Sequence, residues 1–202
     1  GHPSPVLTIG FSADGRHLAS ASHEPIIRLW SQRGQTGAWQ AANVAADLSD
    51  VNPYAFEPAI APHIAAEQAG VRIDLQVIAA AYARLAAQAD VVVVEGAGGW
   101  RVPLNEAEDM ADLAQCLGLP VVLVVGLRLG CLNHALLTAE SIASRQLPWA
   151  GWVGNRIDPA MAQQAANIAA LRTRLPGPCL GIQPFQQQSP AEAPQWLRLP
   201  KF

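Results

Sequence analysis

Val91-Val92-Val93-Val94-Glu95-Gly96-Ala97-Gly98-Gly99-Trp100 is the stretch on which the reading of this 202-residue chain turns. Four consecutive β-branched residues match a strand buried on both faces, the pattern of a parallel sheet. Ligands of open α/β sheets bind just beyond the carboxyl ends of such strands. Here that end carries one carboxylate, then glycines that let a ligand approach the backbone closely. An acid so placed can hold Mg²⁺, directly or through water, while the metal bridges nucleotide phosphates. A buried strand followed by an ordinary turn has the same local pattern, and a short glycine motif does not separate the two readings.

Working outward, apolar blocks of two kinds alternate. Residues 75–87 show helical spacing at Leu75, Ile78, Ala79, Tyr82, Leu85 and Ala86. Residues 109–117 read as a helix closed by Gly118 and Pro120, and 121–126 as a second buried strand. A helix over 132–144, a strand over 149–153 ending at Gly154-Asn155, a helix over 160–175 and a short strand over 179–182 follow. Upstream, Val51-Asn52-Pro53-Tyr54 reads as a turn, and Pro58 and Pro62 keep the chain irregular until Ile64. The Gln- and Pro-rich tail reads as irregular. This alternation predicts an α/β fold: a doubly wound parallel sheet covered by helices on both faces. Right-handed crossovers then gather the strand ends along one rim. That rim collects Glu95-Gly96, Gly126, Gly154-Asn155 and Gln183-Pro184.

Composition narrows the function. Half of the residues are apolar and 14% charged, enough for a sizeable core. The net charge of −3 and the lack of a basic stripe argue against a nucleic-acid partner. Cys116, Cys131 and Cys179 fit neither a disulfide framework nor zinc spacing, so reduced thiols in the cytoplasm are expected. No apolar run is long enough to span a membrane, and no secretory signal is expected. Of thirteen Lys plus Arg only one is lysine, Lys201. A phosphate loop of the form G-x-x-x-x-G-K-[ST] is therefore absent from these residues.

The first thirty residues differ in character. Val6-Leu7-Thr8-Ile9-Gly10-Phe11, Asp14-Gly15, His17-Leu18-Ala19-Ser20-Ala21-Ser22 and Ile27-Arg28-Leu29-Trp30 alternate about a hairpin turn. With Gly1-His2 in front, they resemble a single WD repeat of a β-propeller over residues 1–31. Ser31 stands where the closing aspartate belongs, and Glu24-Pro25 interrupts the usual turn. One blade cannot make a propeller. Residues 32–49 read as a linker or weak helix.

From residue 50 onward a second resemblance appears. Val51-Asn52-Pro53-Tyr54, Pro62-His63, the Glu95–Trp100 segment, Pro103-Leu104, Leu129-Gly130-Cys131-Leu132-Asn133-His134-Ala135-Leu136-Leu137-Thr138 and Gly151-Trp152-Val153-Gly154-Asn155 occur in the order found in dethiobiotin synthetases. Residues 50–202 resemble that family, whose members close the ureido ring of dethiobiotin from 7,8-diaminononanoate, CO₂ and MgATP in the biotin pathway. The resemblance implies a P-loop NTPase type of sheet, ATP and Mg²⁺ as cofactors, and a homodimer in the cytoplasm. Residue by residue, it implies that Glu95 is the Mg²⁺ ligand and that Gly96, Ala97 and Gly98 lie beside the phosphates. Asn155 would read adenine with Arg156 beside it, and Gln183, Pro184 and Phe185 would flank the base. Gly130, Cys131, Leu132 and Asn133 would form a helix start whose N–H groups hold the substrate carboxylate across the dimer. Pro53 and Tyr54 would lie near the diamine.

Each residue also has a plainer reading: Glu95 as a solvated rim acid, Asn155 as a turn residue with positive φ, Asn133 as a helix N-cap. Cys131 reads as packing rather than nucleophile, His63 and His134 as satisfied structural histidines, and Trp100, Trp149 and Trp152 as core or interface groups. The family's phosphate loop, its following lysine strand end and its second Mg²⁺ aspartate are not found; Asp47 and Asp50 lack the right surroundings. No catalytic residue is assigned, because the family's lysines are missing. The expectation is a chain with no useful activity by itself and with exposed sheet edges where a central strand is lacking.

Overall fold

The computed structural model describes residues 46–89, 92–185 and 197, and the backbone of four N-terminal strands. Those strands are β1 (Val6–Phe11), β2 (His17–Ser22), β3 (Ile27–Arg33) and β4 (Ala38–Ala42), paired antiparallel in the order β1-β2-β3-β4. Asp14-Gly15, Glu24-Pro25, Val91 and Lys201 lie outside the described residues. β4 falls where a linker or weak helix is predicted. Its pairing with β3, from Leu29↔Ala42 to Arg33↔Ala38, satisfies backbone groups that a linker would leave to water.

Four helices build a first lobe: α1 (Leu48–Val51), α2 (Pro62–Gln68), α3 (Leu75–Ala86) and α4 (Met110–Leu117). The sequence reading treats Pro62 as a breaker, yet Pro62 opens α2. Proline is tolerated in the first turn because its missing N–H has no intrahelical partner there. Asp74 caps α3 by accepting from Gln76 N at 2.8 Å, and Arg84 on α3 donates to Asp50 of α1 at 2.6 and 2.9 Å. That guanidinium holds the Asp50 carboxyl below its ordinary value. Asp109 and Asp112 form a capping box at the start of α4, which ends at Gly118. Ala66, Ile73, Leu75, Leu104, Met110 and Leu113 make the core of this lobe, with Tyr54 and Val102 packed against it.

The second lobe is a parallel sheet of β5 (Val121–Gly126), β6 (Trp149–Asn155) and β7 (Cys179–Gln183), in the order β5-β6-β7. The crossovers are α5 (Cys131–Ser144) and α6 (Gln164–Arg174), the latter shorter than the predicted 160–175. Strand order runs one way across this sheet. Right-handed crossovers therefore put α5 and α6 on the same face, where Cys131 of α5 and Leu171 of α6 share a core with Val125, Leu127 and Trp152. On the opposite face Val124 remains 39% exposed. The described residues thus form a parallel α/β sheet wound in one direction; double winding needs strands on the free side of β5.

The buried strand predicted at 91–94 is not a strand over Val92, Val93 and Val94. The four-valine pattern has the right composition, but a strand exists only when a neighbour accepts its ladder. No described residue pairs with this segment or with the free edge of β5. Val94 accordingly stays 38% exposed. Val94 and Val124 thus leave apolar surface exposed among the described residues. Among the described residues no helix is long and apolar enough to cross a membrane.

Candidate functional site

The carboxyl ends of the parallel strands are held together by their own ladder. Gly126 pairs with Asn155 and Asn155 with Gln183. Leu127 N donates to Asn155 O at 2.7 Å, and Arg156 N donates to Gln183 O at 3.2 Å. Gly126, Asn155, Arg156 and Gln183 therefore share one rim, with Pro184 and Phe185 exposed just beyond it. Asn155 does not take the positive φ of the turn reading; it ends a strand. Its side-chain amide bonds no other described residue. Arg156, on the same rim, is exposed and pairs with no carboxylate among the described residues.

Beyond β5 the chain turns through Arg128, Leu129 and Gly130 into α5. The N-cap is Gly130, in the left-handed region at φ 93°, without a side-chain cap bond. Asn133 is the third residue inside the helix and exposed, so it is not the N-cap that its plainer reading makes it. Cys131 is buried in the sheet core, in line with a packing role, and Leu132 packs partly against it. A first turn with no side chain on its N–H groups is suited to an anion.

Glu95 lies past the unpaired valines on a loop that the first lobe carries. Water reaches its surface, yet the protein around it desolvates the carboxylate and pushes it up to about 7. Among the described residues no cationic partner offsets that desolvation. A divalent cation with attached phosphates would, so this carboxylate fits a Mg²⁺ ligand chemically. Among the described residues no group of three His, Cys, Asp or Glu gathers. That is compatible with Mg²⁺, which commonly uses one or two carboxylates plus phosphates and water.

The glycines after Glu95 serve packing as much as ligand approach. A Cβ on Gly96 would sit 2.7 Å from the Met110 methyl, and one on Gly98 2.9 Å from Val102 Cγ2. Ala97, between them, is exposed. Trp100 Nε1 donates to Ser141 Oγ on α5 at 2.9 Å, and Arg101 Nε donates to Asp109 Oδ2. Tyr54 packs on the same core as Met110 and Val102, and its hydroxyl accepts from Asp74 N at 3.1 Å. Tyr54, which follows Pro53, thus joins the Glu95 loop through the first lobe's core. Asn155, Arg156 and Gln183 belong to the sheet. The two groups meet through Trp100–Ser141 and through Arg145, the C-cap of α5, which donates to Asp112 Oδ1 at 2.7 Å.

Sequence reasoning passes over Arg101, Asp109, Ser141 and Arg145. The Asp109-x-x-Asp112 spacing is legible as a helix start, but its use as an anchor for two arginines depends on residues up to 36 positions away. His63 Nδ1, read as satisfied, is buried without a partner, as are Trp149 Nε1 and Trp152 Nε1.

A family model described as an AAA domain matches residues 32–193. The ATP-dependent dethiobiotin synthetase BioD of Aromatoleum aromaticum is 50% identical over 192 residues, covering 95% of this chain and 85% of the relative. The chain belongs to the dethiobiotin synthetase family. The synthetase of Nitrosospira multiformis is 56% identical over 151 residues, 75% of this chain and 67% of the relative. That of Xanthomonas oryzae pv. oryzae is 44% identical over 193 residues, 95% and 86% respectively. This places the parallel α/β lobe in a P-loop NTPase type of domain. None of these matches concerns a WD repeat.

Proposed function

We propose that this chain is a dethiobiotin synthetase-type protein of biotin biosynthesis that binds MgATP and 7,8-diaminononanoate but does not complete the reaction by itself. The observation that carries the reading is the desolvated Glu95 at the head of the glycine loop, without a cationic partner among the described residues, in a chain half identical to an ATP-dependent dethiobiotin synthetase. In the reaction of that family one amine takes up CO₂ as a carbamate, the carbamate is phosphorylated, and the second amine displaces phosphate to close the ring. Mg²⁺, when bound, would neutralise phosphate charge. Glu95 would hold it, with the 96–98 backbone alongside. Asn155 would pair with adenine through its unused amide, with Arg156, Gln183, Pro184 and Phe185 around the base. The first turn of α5, from Gly130 through Cys131 and Leu132 to Asn133, would hold the substrate carboxylate, and Pro53 and Tyr54 would border the diamine. A homodimer and a cytoplasmic location belong to the same reading.

Transition-state charge on the transferring phosphoryl group needs preorganised cations. Residues 1–202 offer no phosphate-loop lysine, which is why turnover by this chain is expected to be negligible. The test is the thermal midpoint of the purified chain with MgATP and with the diamine, followed by a turnover assay with diamine and bicarbonate. A ligand that binds only the native state must raise the midpoint. Shifts without turnover support the proposal. No shift with either ligand defeats the binding part, and enzyme-level turnover defeats the inactivity part.

A second reading is a non-catalytic interaction protein carrying a WD-like element at residues 1–31, a linker at 32–49 and the α/β domain at 50–202. The sequential four-stranded antiparallel order β1-β2-β3-β4 favours it, since a propeller blade has that topology. The same melting series separates the readings, because an interaction module has no reason to respond to the diamine.

A further inference from the structure

Asp109 is the only buried charged residue among those described, 8% exposed. A helix cap needs one acceptor oxygen, and Oδ1 fills that role by accepting from Ala111 N at 2.8 Å and Asp112 N at 3.1 Å. The second oxygen and the negative charge are surplus to capping, since Asn caps a helix about as well as Asp. Oδ2 takes the Arg101 Nε hydrogen bond. Nη2 of Arg145, the C-cap of α5, comes within 3.9 Å of Oδ1, while its Nη1 donates to Asp112 Oδ1 at 2.7 Å and Gln115 Oε1 at 3.0 Å. Burial works to raise the Asp112 carboxyl, but the Asp109 N–H and Arg145 outweigh it and leave it lowered. One carboxylate thus touches the loop at Arg101 and stands beside the far end of α5.

The loop between Glu95 and Arg101 has four fixed points. Gly96 lies under Met110, Gly98 under Val102, Trp100 is bonded to Ser141, and Arg101 is bonded to Asp109. Met110 directly follows Asp109, and its N–H donates to Val102 O at 3.0 Å. We propose that Asp109 is a positioning residue: by sharing its carboxylate between the cap of α4 and Arg101, it holds the Glu95 loop in place against α5. The idea rests on the reading of that loop as the nucleotide side of the site and of α5 as the carboxylate side. It then ties the two sides to one rigid helix end.

The test uses the full chain labelled with 5-fluorotryptophan, the Trp100 resonance being assigned with Trp100→Phe. Asp109→Asn keeps an acceptor for the cap and removes the charge; Asp109→Ala removes both. Arg101→Gln breaks the pair from its exposed end without touching the cap, so the test survives if an Asp109 variant fails to fold. Expected are a thermal midpoint close to wild type for Asp109→Asn and Arg101→Gln, and one lower by about 2–4 °C for Asp109→Ala. In all three the Trp100 resonance should move toward the position of exposed indole. If the Trp100 resonance is unmoved in Asp109→Asn and Arg101→Gln, Asp109 is a cap alone and the proposal fails. It also fails if only the Asp109 variants respond, because the effect would then bypass Arg101. These readouts need no ligand. A missing MgATP response in the wild type would overturn the nucleotide reading and leave the positioning result standing.

Discussion

Replacing Glu95 with glutamine should stabilise the protein at alkaline pH and leave it unchanged under acid conditions. The folded chain holds the Glu95 carboxyl up to about 7, against an ordinary 4.5, through desolvation. A carboxyl raised on folding binds more protons in the native state than in the unfolded state between those two values. Stability therefore falls as pH rises from about 4.5 to about 7, and the full penalty is present above 7. One pH unit corresponds to about 1.4 kcal/mol, so the ceiling is about 3 kcal/mol. Water reaches this side chain, and solvent screening reduces the penalty to about 1 kcal/mol. Glutamine has nearly the same shape and carries no charge to desolvate. In a domain of this size 1 kcal/mol moves the midpoint by about 2–4 °C. Urea melts of wild type and Glu95→Gln at pH 4.5 and pH 8 measure the difference directly. The two should coincide at pH 4.5, with the variant ahead at pH 8. A variant equal to or weaker than wild type at pH 8 would refute the claim that Glu95 is a desolvated charge awaiting a cation. Mg²⁺ with ATP should stabilise the wild type and fail to stabilise the variant to the same degree.

Other substitutions follow from packing. Gly151 sits in β6 at φ 144°, and a Cβ there would lie 2.8 Å from Pro178 O and from Leu180 Cγ. Gly151→Ala should cost about 2–5 kcal/mol from overpacking and backbone strain, read as a urea midpoint, and a loss under 1 kcal/mol would contradict it. Trp152 is fully buried in the sheet core; Trp152→Ala should cost about 3–5 kcal/mol, enough to abolish a cooperative melt at 37 °C in a marginal domain. The loop glycines should differ. At Gly96 the obstacle is the flexible end of Met110, so Gly96→Ala should cost about 1 kcal/mol or less in a chemical melt. Gly98 has φ 89° and meets branched Val102, so Gly98→Ala should cost about 1–3 kcal/mol. Equal losses at the two positions would contradict this.

Local patterns carried much of this protein into view. The spacing of Leu75, Ile78 and Tyr82, the Asp109 start and Gly118 stop, and the β-branched block before Gly126 each specify an element from a few neighbouring residues. α3, α4, α5, β5, β6 and β7 all form close to where those signals fall. The family was legible too, because the glycine loop and the 129–138 run are contiguous in sequence. Pro62 misled, since a proline can break a helix or begin one and only its position in the turn decides which.

What the sequence by itself determined is the parallel α/β character, the family and the strand ends at Gly126, Asn155 and Gln183, all of which are encoded in periodicity and short motifs. The tertiary structure alone decided the rest. The four valines have the composition of a strand but no ladder partner among the described residues, and hydrogen bonds between strands depend on a second segment. Asn133 is a helix-interior residue because the chain enters α5 through a left-handed Gly130. Asp109 became an anchor because folding brings Arg101 and Arg145 to the same helix end, 8 and 36 residues away, a convergence that no local pattern records.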